Sequence, residues 1–105
     1  LKELNAERAK VITLTAIQHT VADFYRVKVE DLKSKERNQG VVLPRQVAMY
    51  LSRTLTASSL PVIGEAFGGK DHTTVIHSCE KIKRRLVTDE AFRRQIESLS
   101  QSITS

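Results

Sequence analysis

In the stretch GEAFGGKDHTTVIHSCEKI, Gly64 to Ile82, two helical patterns are pinched apart by a pair of glycines. Gly68 and Gly69 end the first, as glycine does where a helix closes in the left-handed backbone region. The second opens at once with Asp71, His72, Thr73 and Thr74, before any hydrophobic side chain appears. A short helix, a glycine turn of three or four residues and a longer helix is the layout of a helix-turn-helix, whose second helix enters the DNA major groove by its N-terminal end. Helical geometry adds weight to that reading. At 100° per residue, Cys79, Ile82 and Leu86 fall within about 40° of Val75 and define an inward stripe. Thr73, His77, Lys81 and Arg84 lie within about 60° of the opposite direction, so the outer face carries hydrogen-bonding groups first and cations later.

The rest of the chain is also helical in pattern. ITLTAIQHTVADFYRV predicts a first helix, capped by Thr13 or Thr15, with Ile17, Val21, Phe24 and Tyr25 inward. KVEDLKSK supports a turn or two around Glu30 to Lys33, and SKERNQGVV, which contains Gly40 and has no periodicity, reads as an exposed basic loop. Pro44 is expected to open the next long helix, where its missing N–H costs nothing. Val47, Ala48, Leu51 and Leu55 form its inward stripe, while Gln46 and Arg53 share a face left for a partner. Ser58 or Ser59 caps a short helix with Pro61 in its first turn and Ile63, Ala66 and Phe67 inward. Phe92, Ile96, Leu99 and Ile103 mark a last amphipathic helix. No two-residue alternation survives, since GVVLP is short and runs into proline, so the fold class is all-α, with no internal repeat.

With 105 residues, the chain is expected to hold one domain: residues 13 to 105 as the helix-turn-helix domain, after a linker or the start of a connecting helix at 1 to 12. LKELNAERAK resembles no secretory signal and suggests a segment of a longer protein. No apolar run approaches the roughly 18 residues of a membrane-spanning helix. The single cysteine, Cys79, excludes an internal disulfide and fits a cytoplasmic location. Net charge is +5 and sits in the middle of the chain: residues 35 to 56 carry four basic against one acidic side chain, and residues 57 to 85 carry five against three. A basic centre of this kind suits a polyanion, although it also serves solubility.

Short polar side chains in a helix's first turn suit base reading because the helix end can approach base edges closely. Asp accepts from a cytosine amino group, Thr hydrogen-bonds or sets its methyl against that of thymine, and His donates or accepts. Asp71 equally suits plain N-capping, and Thr73, Thr74 and His77 equally suit a solvated face. A metal or Cys and His catalytic set built from His72, His77 and Cys79 is excluded by direction, since His77 and Cys79 point about 160° apart on one helix. The segment is therefore read as a binding domain and not an enzyme. A helical protein-interaction module and a helix-turn-helix transcription regulator of another family stay open at this point.

The run PRQVAMYLSRTLTASSLPVIGEAFGGKDHTTVIHSCEKI, together with VADFYRVKVEDLKSKER upstream, resembles the C-terminal DNA-binding domain of DnaA, the bacterial chromosomal replication initiator, over about residues 10 to 86. The resemblance implies a Trp-repressor-like all-α domain of about six helices, acting in initiation of replication at the origin. It implies double-stranded DNA carrying the DnaA box, of the TTATNCACA type, as partner, with one copy of the isolated domain on one box. Asp71, His72, Thr73 and Thr74 would face bases in the major groove, and Leu60 and Pro61 would touch thymine methyls. Arg37 would enter the neighbouring minor groove. Arg45, Gln46, Arg53, Thr56 and His77 would hold phosphates. Lys70 stands where the family usually has Arg and is a further candidate DNA contact, and Gln39 and Val42 make the loop less basic than in some members. No cofactor is implied for this segment: the ATP expected of the parent initiator falls elsewhere, because no GxxxxGK[ST] is present.

Overall fold

The computed structural model describes residues 11–105. The linker expected at 1 to 12 therefore falls almost wholly outside the described residues. Six helices follow one another, with no strand among the described residues: α1 Leu14–Tyr25, α2 Val29–Lys33, α3 Gln39–Leu55, α4 Leu60–Ala66, α5 His72–Thr88 and α6 Glu90–Thr104. Several of them begin on a side-chain cap. Thr13 caps α1 by accepting from the Ala16 N–H at 3.0 Å, Ser59 caps α4 by accepting from the Val62 N–H at 3.3 Å, and Asp89 caps α6 by accepting from the Phe92 N–H at 3.0 Å.

The expectation that Pro44 opens α3 is corrected. Asn38 caps this helix instead, its side-chain oxygen accepting from the Gly40 N–H at 2.7 Å, so Gln39 to Leu43 are helical and the preceding loop shrinks to residues 34–38. Pro44 lies inside the helix and is buried, at the cost of the hydrogen bond its nitrogen would have donated to Gly40.

Helix α3 is the hub, packed against every other helix. Its inward surface is accordingly wider than one stripe: Met49 and Ser52 are buried beside Val47, Ala48 and Leu51, while Leu55 is only partly covered. Ser52 satisfies its hydroxyl on the Ala48 carbonyl at 2.7 Å. Ile17, Val21, Leu32, Phe67, Val75, Ile82, Phe92, Ile96, Leu99 and Ile103 complete one continuous core. Two α1 positions differ from the periodic reading. Phe24 is exposed, stacking edge-on to Tyr25, and Gln18 is buried because its amide donates to the Ala66 carbonyl at 2.8 Å. No helix among the described residues is long and apolar enough to cross a membrane.

Candidate nucleic-acid interface

The turn between α4 and α5 is closed chiefly by its backbone. Gly68 and Gly69 adopt φ of +85° and +77°, and the Lys70 N–H returns to the Gly64 carbonyl at 2.8 Å. Gly64 is needed for a second reason: a Cβ there would strike the Lys70 carbonyl, so a larger residue would push the turn off α4. The pair of helices thus leaves the turn at a fixed angle. Periodicity could not have shown that crossing, although the Gly64 position was visible in the sequence.

On α5 the two faces separate as the 100° geometry requires. Val75, Ser78, Cys79 and Ile82 are buried and Leu86 is partly covered, while Thr73, His77, Lys81 and Arg84 are all exposed. Thr74 and His72 are exposed as well. His77 faces outward and Cys79 inward, where burial pushes the thiol pKa up.

Asp71 occupies the N-cap position, yet its carboxylate closes no short capping bond to the helix. It lies 3.1 Å from His72 Nδ1, and the neighbouring Thr73 hydroxyl and N–H hold its pKa below the usual carboxylate range. The carboxylate is nonetheless exposed, so it keeps acceptor capacity for a base amino group. Leu60, half-buried, and Pro61, exposed, sit at the start of α4, and the exposed Val62 extends that apolar edge. Periodicity had given Val62 no role.

Arg53 lies on the exposed side of α3 with one guanidinium N–H on the Ser58 carbonyl at 3.0 Å. It borders a groove of about 190 Å³ between α3 and α5, together with Leu60 and Lys83, so its remaining donors share a rim with the second helix of the motif. Gln46 is half-buried on the same helix. Arg37 is exposed in the segment joining α2 to α3.

Three residues that the family resemblance assigns to DNA are engaged inside the protein. Arg45 is buried, donating from Nε to the Leu32 carbonyl at 3.1 Å, from one terminal nitrogen to Glu36 O at 3.0 Å, and from the other to Asp31 O at 2.9 Å and Ser34 Oγ at 3.3 Å. Burial lowers its pKa, opposed by the Glu36 and Asp31 carboxylates, and the guanidinium stays charged. Its donors are thus already engaged within the protein. Lys70 is engaged in the same way: its ammonium donates to Ser34 O at 2.8 Å, Phe67 O at 2.9 Å and Lys33 O at 3.4 Å, and burial, then the nearby Arg45 and Lys35, lower its pKa. Thr56 donates its hydroxyl to Ser52 O at 2.6 Å and accepts from the Ser58 N–H at 3.1 Å, which shapes the turn into α4 and leaves no hydroxyl proton for a phosphate. No one-dimensional signal reveals these partners, because a cation 37 residues from its acceptor in the chain reads the same as a solvated one.

Residues 14–82 match the family described as the bacterial dnaA protein helix-turn-helix. Over 103 residues, 98% of this chain, the sequence is 60% identical to the chromosomal replication initiator protein DnaA of Oenococcus oeni, and the matched part is 23% of that relative's length. Among solved structures, it superposes on a DNA replication initiation factor with a TM-score of 0.78 at 38% identity, covering 86% of this chain and 27% of that one. It also superposes on a replication initiator DnaA bound to AMPPCP and single-stranded DNA with a TM-score of 0.75 at 37% identity, covering 85% of this chain and 27% of that one.

Proposed function

Since this chain belongs to the bacterial DnaA helix-turn-helix family, we propose that it binds double-stranded DNA at the DnaA box, of the TTATNCACA type, and so recruits a replication initiator to the origin. The observation that carries this reading is the first turn of α5: four consecutive polar residues, Asp71 to Thr74, all exposed, delivered by a glycine turn and followed on the same face by Lys81 and Arg84. In this account Asp71, His72, Thr73 and Thr74 read base edges in the major groove. Leu60 and Pro61 meet thymine methyls. Arg37 reaches into the adjacent minor groove. Arg53, Gln46 and His77 hold phosphates, with the α5 cations beside them, and these contacts supply affinity and register while the base contacts choose the site.

The protein-partner alternative draws little support from α6, the helix with no part in this scheme. Its outward charges are paired along the helix itself, Arg93 with Glu90 and Glu97, and Arg94 with Glu90. Binding by one copy per box, and ATP held by a different part of the longer initiator, complete the proposal, as does the assignment of residues 13 to 105 to the DNA-binding unit.

Fluorescence anisotropy titrations of the chain on a box duplex and on a shuffled duplex, each at two salt concentrations, test it. The box should bind tighter by on the order of a thousandfold at physiological salt. Affinity for both duplexes should fall steeply with salt, by roughly 0.9 in log–log slope for each phosphate neutralised. Equal affinity for the two duplexes contradicts the reading.

A further inference from the structure

Two cations outside the reading surface converge on one short piece of backbone. The last turn of α2 and the segment after it carry carbonyl oxygens that a helix end leaves short of partners, although Asp31 O also accepts from the Ser34 N–H at 3.2 Å and the Ser34 hydroxyl at 2.8 Å. Arg45, reaching from α3, takes those of Asp31, Leu32 and Glu36. Lys70, reaching back from the turn of the helix-turn-helix, takes those of Lys33 and Ser34 and anchors its third N–H on Phe67 O. The contact between turn and helix end is tight, because a Cβ on Gly68 would strike the Lys33 carbonyl.

Arg37 stands immediately after this gripped segment. On one side its neighbour's carbonyl, Glu36 O, is held by Arg45; on the other, Asn38 is locked as the cap of α3 by the Gly40 N–H. The side chain of Arg37 is exposed while the backbone to either side is held. A lysine has three N–H groups and no acceptor. With all three on carbonyls, Lys70 has none left for a phosphate, but it connects the turn that launches α5 to the segment that launches Arg37.

We infer that Lys70 is a positioning residue: it fixes the spacing between the base-reading end of α5 and the Arg37 side chain before DNA arrives. The inference rests on the minor-groove role proposed for Arg37. Its physical content is preorganisation. A loop already held in the bound geometry loses less freedom on association than one that must be ordered by the ligand. Removing Lys70 therefore weakens binding chiefly through Arg37, and the two residues are energetically coupled.

A double-mutant cycle on the box duplex tests this, using anisotropy with Lys70→Met, Arg37→Ala and the double variant, with Lys70→Gln as a second substitution should the methionine variant fail to fold by circular dichroism. Lys70→Met should weaken binding by about fivefold to tenfold in the parent chain and by less than about twofold in the Arg37→Ala background. Lys70→Arg, which restores a charged multiple donor, should recover most of the loss. In the Arg37→Ala background, removing Lys70 should leave the salt dependence unchanged. Losses that multiply in the double variant overturn the inference. So does a salt slope that drops by roughly 0.9 in that background, the mark of a lysine on a phosphate. An Arg37→Ala variant that binds as well as the parent is a different failure: it removes the minor-groove reading itself, and the inference with it.

Discussion

Replacing Arg45 by methionine keeps much of the side chain's length and removes its charge and donors. Four hydrogen bonds disappear, to Leu32 O, Glu36 O, Asp31 O and Ser34 Oγ, at 3.1, 3.0, 2.9 and 3.3 Å. A charged hydrogen bond contributes about 1.5 to 3 kcal/mol, but the substitution also relieves the cost of burying a guanidinium, and the carbonyls at the loop surface regain water. The net loss should be about 3 kcal/mol. For a domain of this size, 1 kcal/mol shifts the melting temperature by about 4 to 8 °C, so Arg45→Met should melt about 15 °C lower. The assay is thermal unfolding by circular dichroism without DNA, with Arg53→Met as control, because Arg53 is exposed and makes one hydrogen bond. Arg53→Met should melt within a few degrees of the parent. If Arg45→Met also stays within about 4 °C of the parent, the internal role argued for this arginine is wrong.

Other outcomes follow from the same geometry. Arg53→Ala should weaken binding to box and shuffled duplexes by the same factor and lower the salt slope by roughly 0.9, whereas a loss confined to the box would mean that Arg53 reads sequence. Gly68→Ala puts a side chain at φ +85° against the Lys33 carbonyl and should cost more than about 1 kcal/mol in urea unfolding; an unchanged midpoint refutes the close packing of turn on helix end. Asp89 accepts from the Phe92 N–H and pairs with Arg85 at 3.2 Å, and both interactions depress its pKa from 3.8. A carboxylate with a depressed folded pKa contributes stability that is present above 3.8 and lost as pH falls through the folded value. Asp89→Asn, which can still cap, should therefore melt below the parent at neutral pH and converge with it in acid. A gap that persists in strong acid contradicts the charge argument.

Which parts of this were legible in the sequence follows from the range of each interaction. The α5 faces could be drawn from 100° geometry because Val75, Cys79 and Ile82 meet the core through local helical phase alone. The α4 to α5 turn was equally readable, since the requirement for φ above zero at Gly68 is a local one. Pro44 misled because its tolerance at a helix start is only a preference, and the Asn38 cap a few residues upstream decided where α3 begins. Phe24 and Gln18 exchanged their expected places because a packed helix buries whatever lies at the contact, and the Ala66 carbonyl supplied a partner for the amide. Arg45 and Lys70 were beyond periodicity altogether. Both look like solvated cations in one dimension, and only the folding of α2 against the turn brings five carbonyls within their reach.

The central claim is that the exposed first turn of α5 chooses the binding site, and the most direct measurement of it is the ratio of box to shuffled affinity for Thr73→Ala. Thr73 is exposed and forms no part of the core, so the variant should fold as the parent does. The account predicts that box affinity falls by about 1 to 3 kcal/mol while shuffled affinity stays put, shrinking the ratio. Equal losses on both duplexes, or none on either, would contradict it.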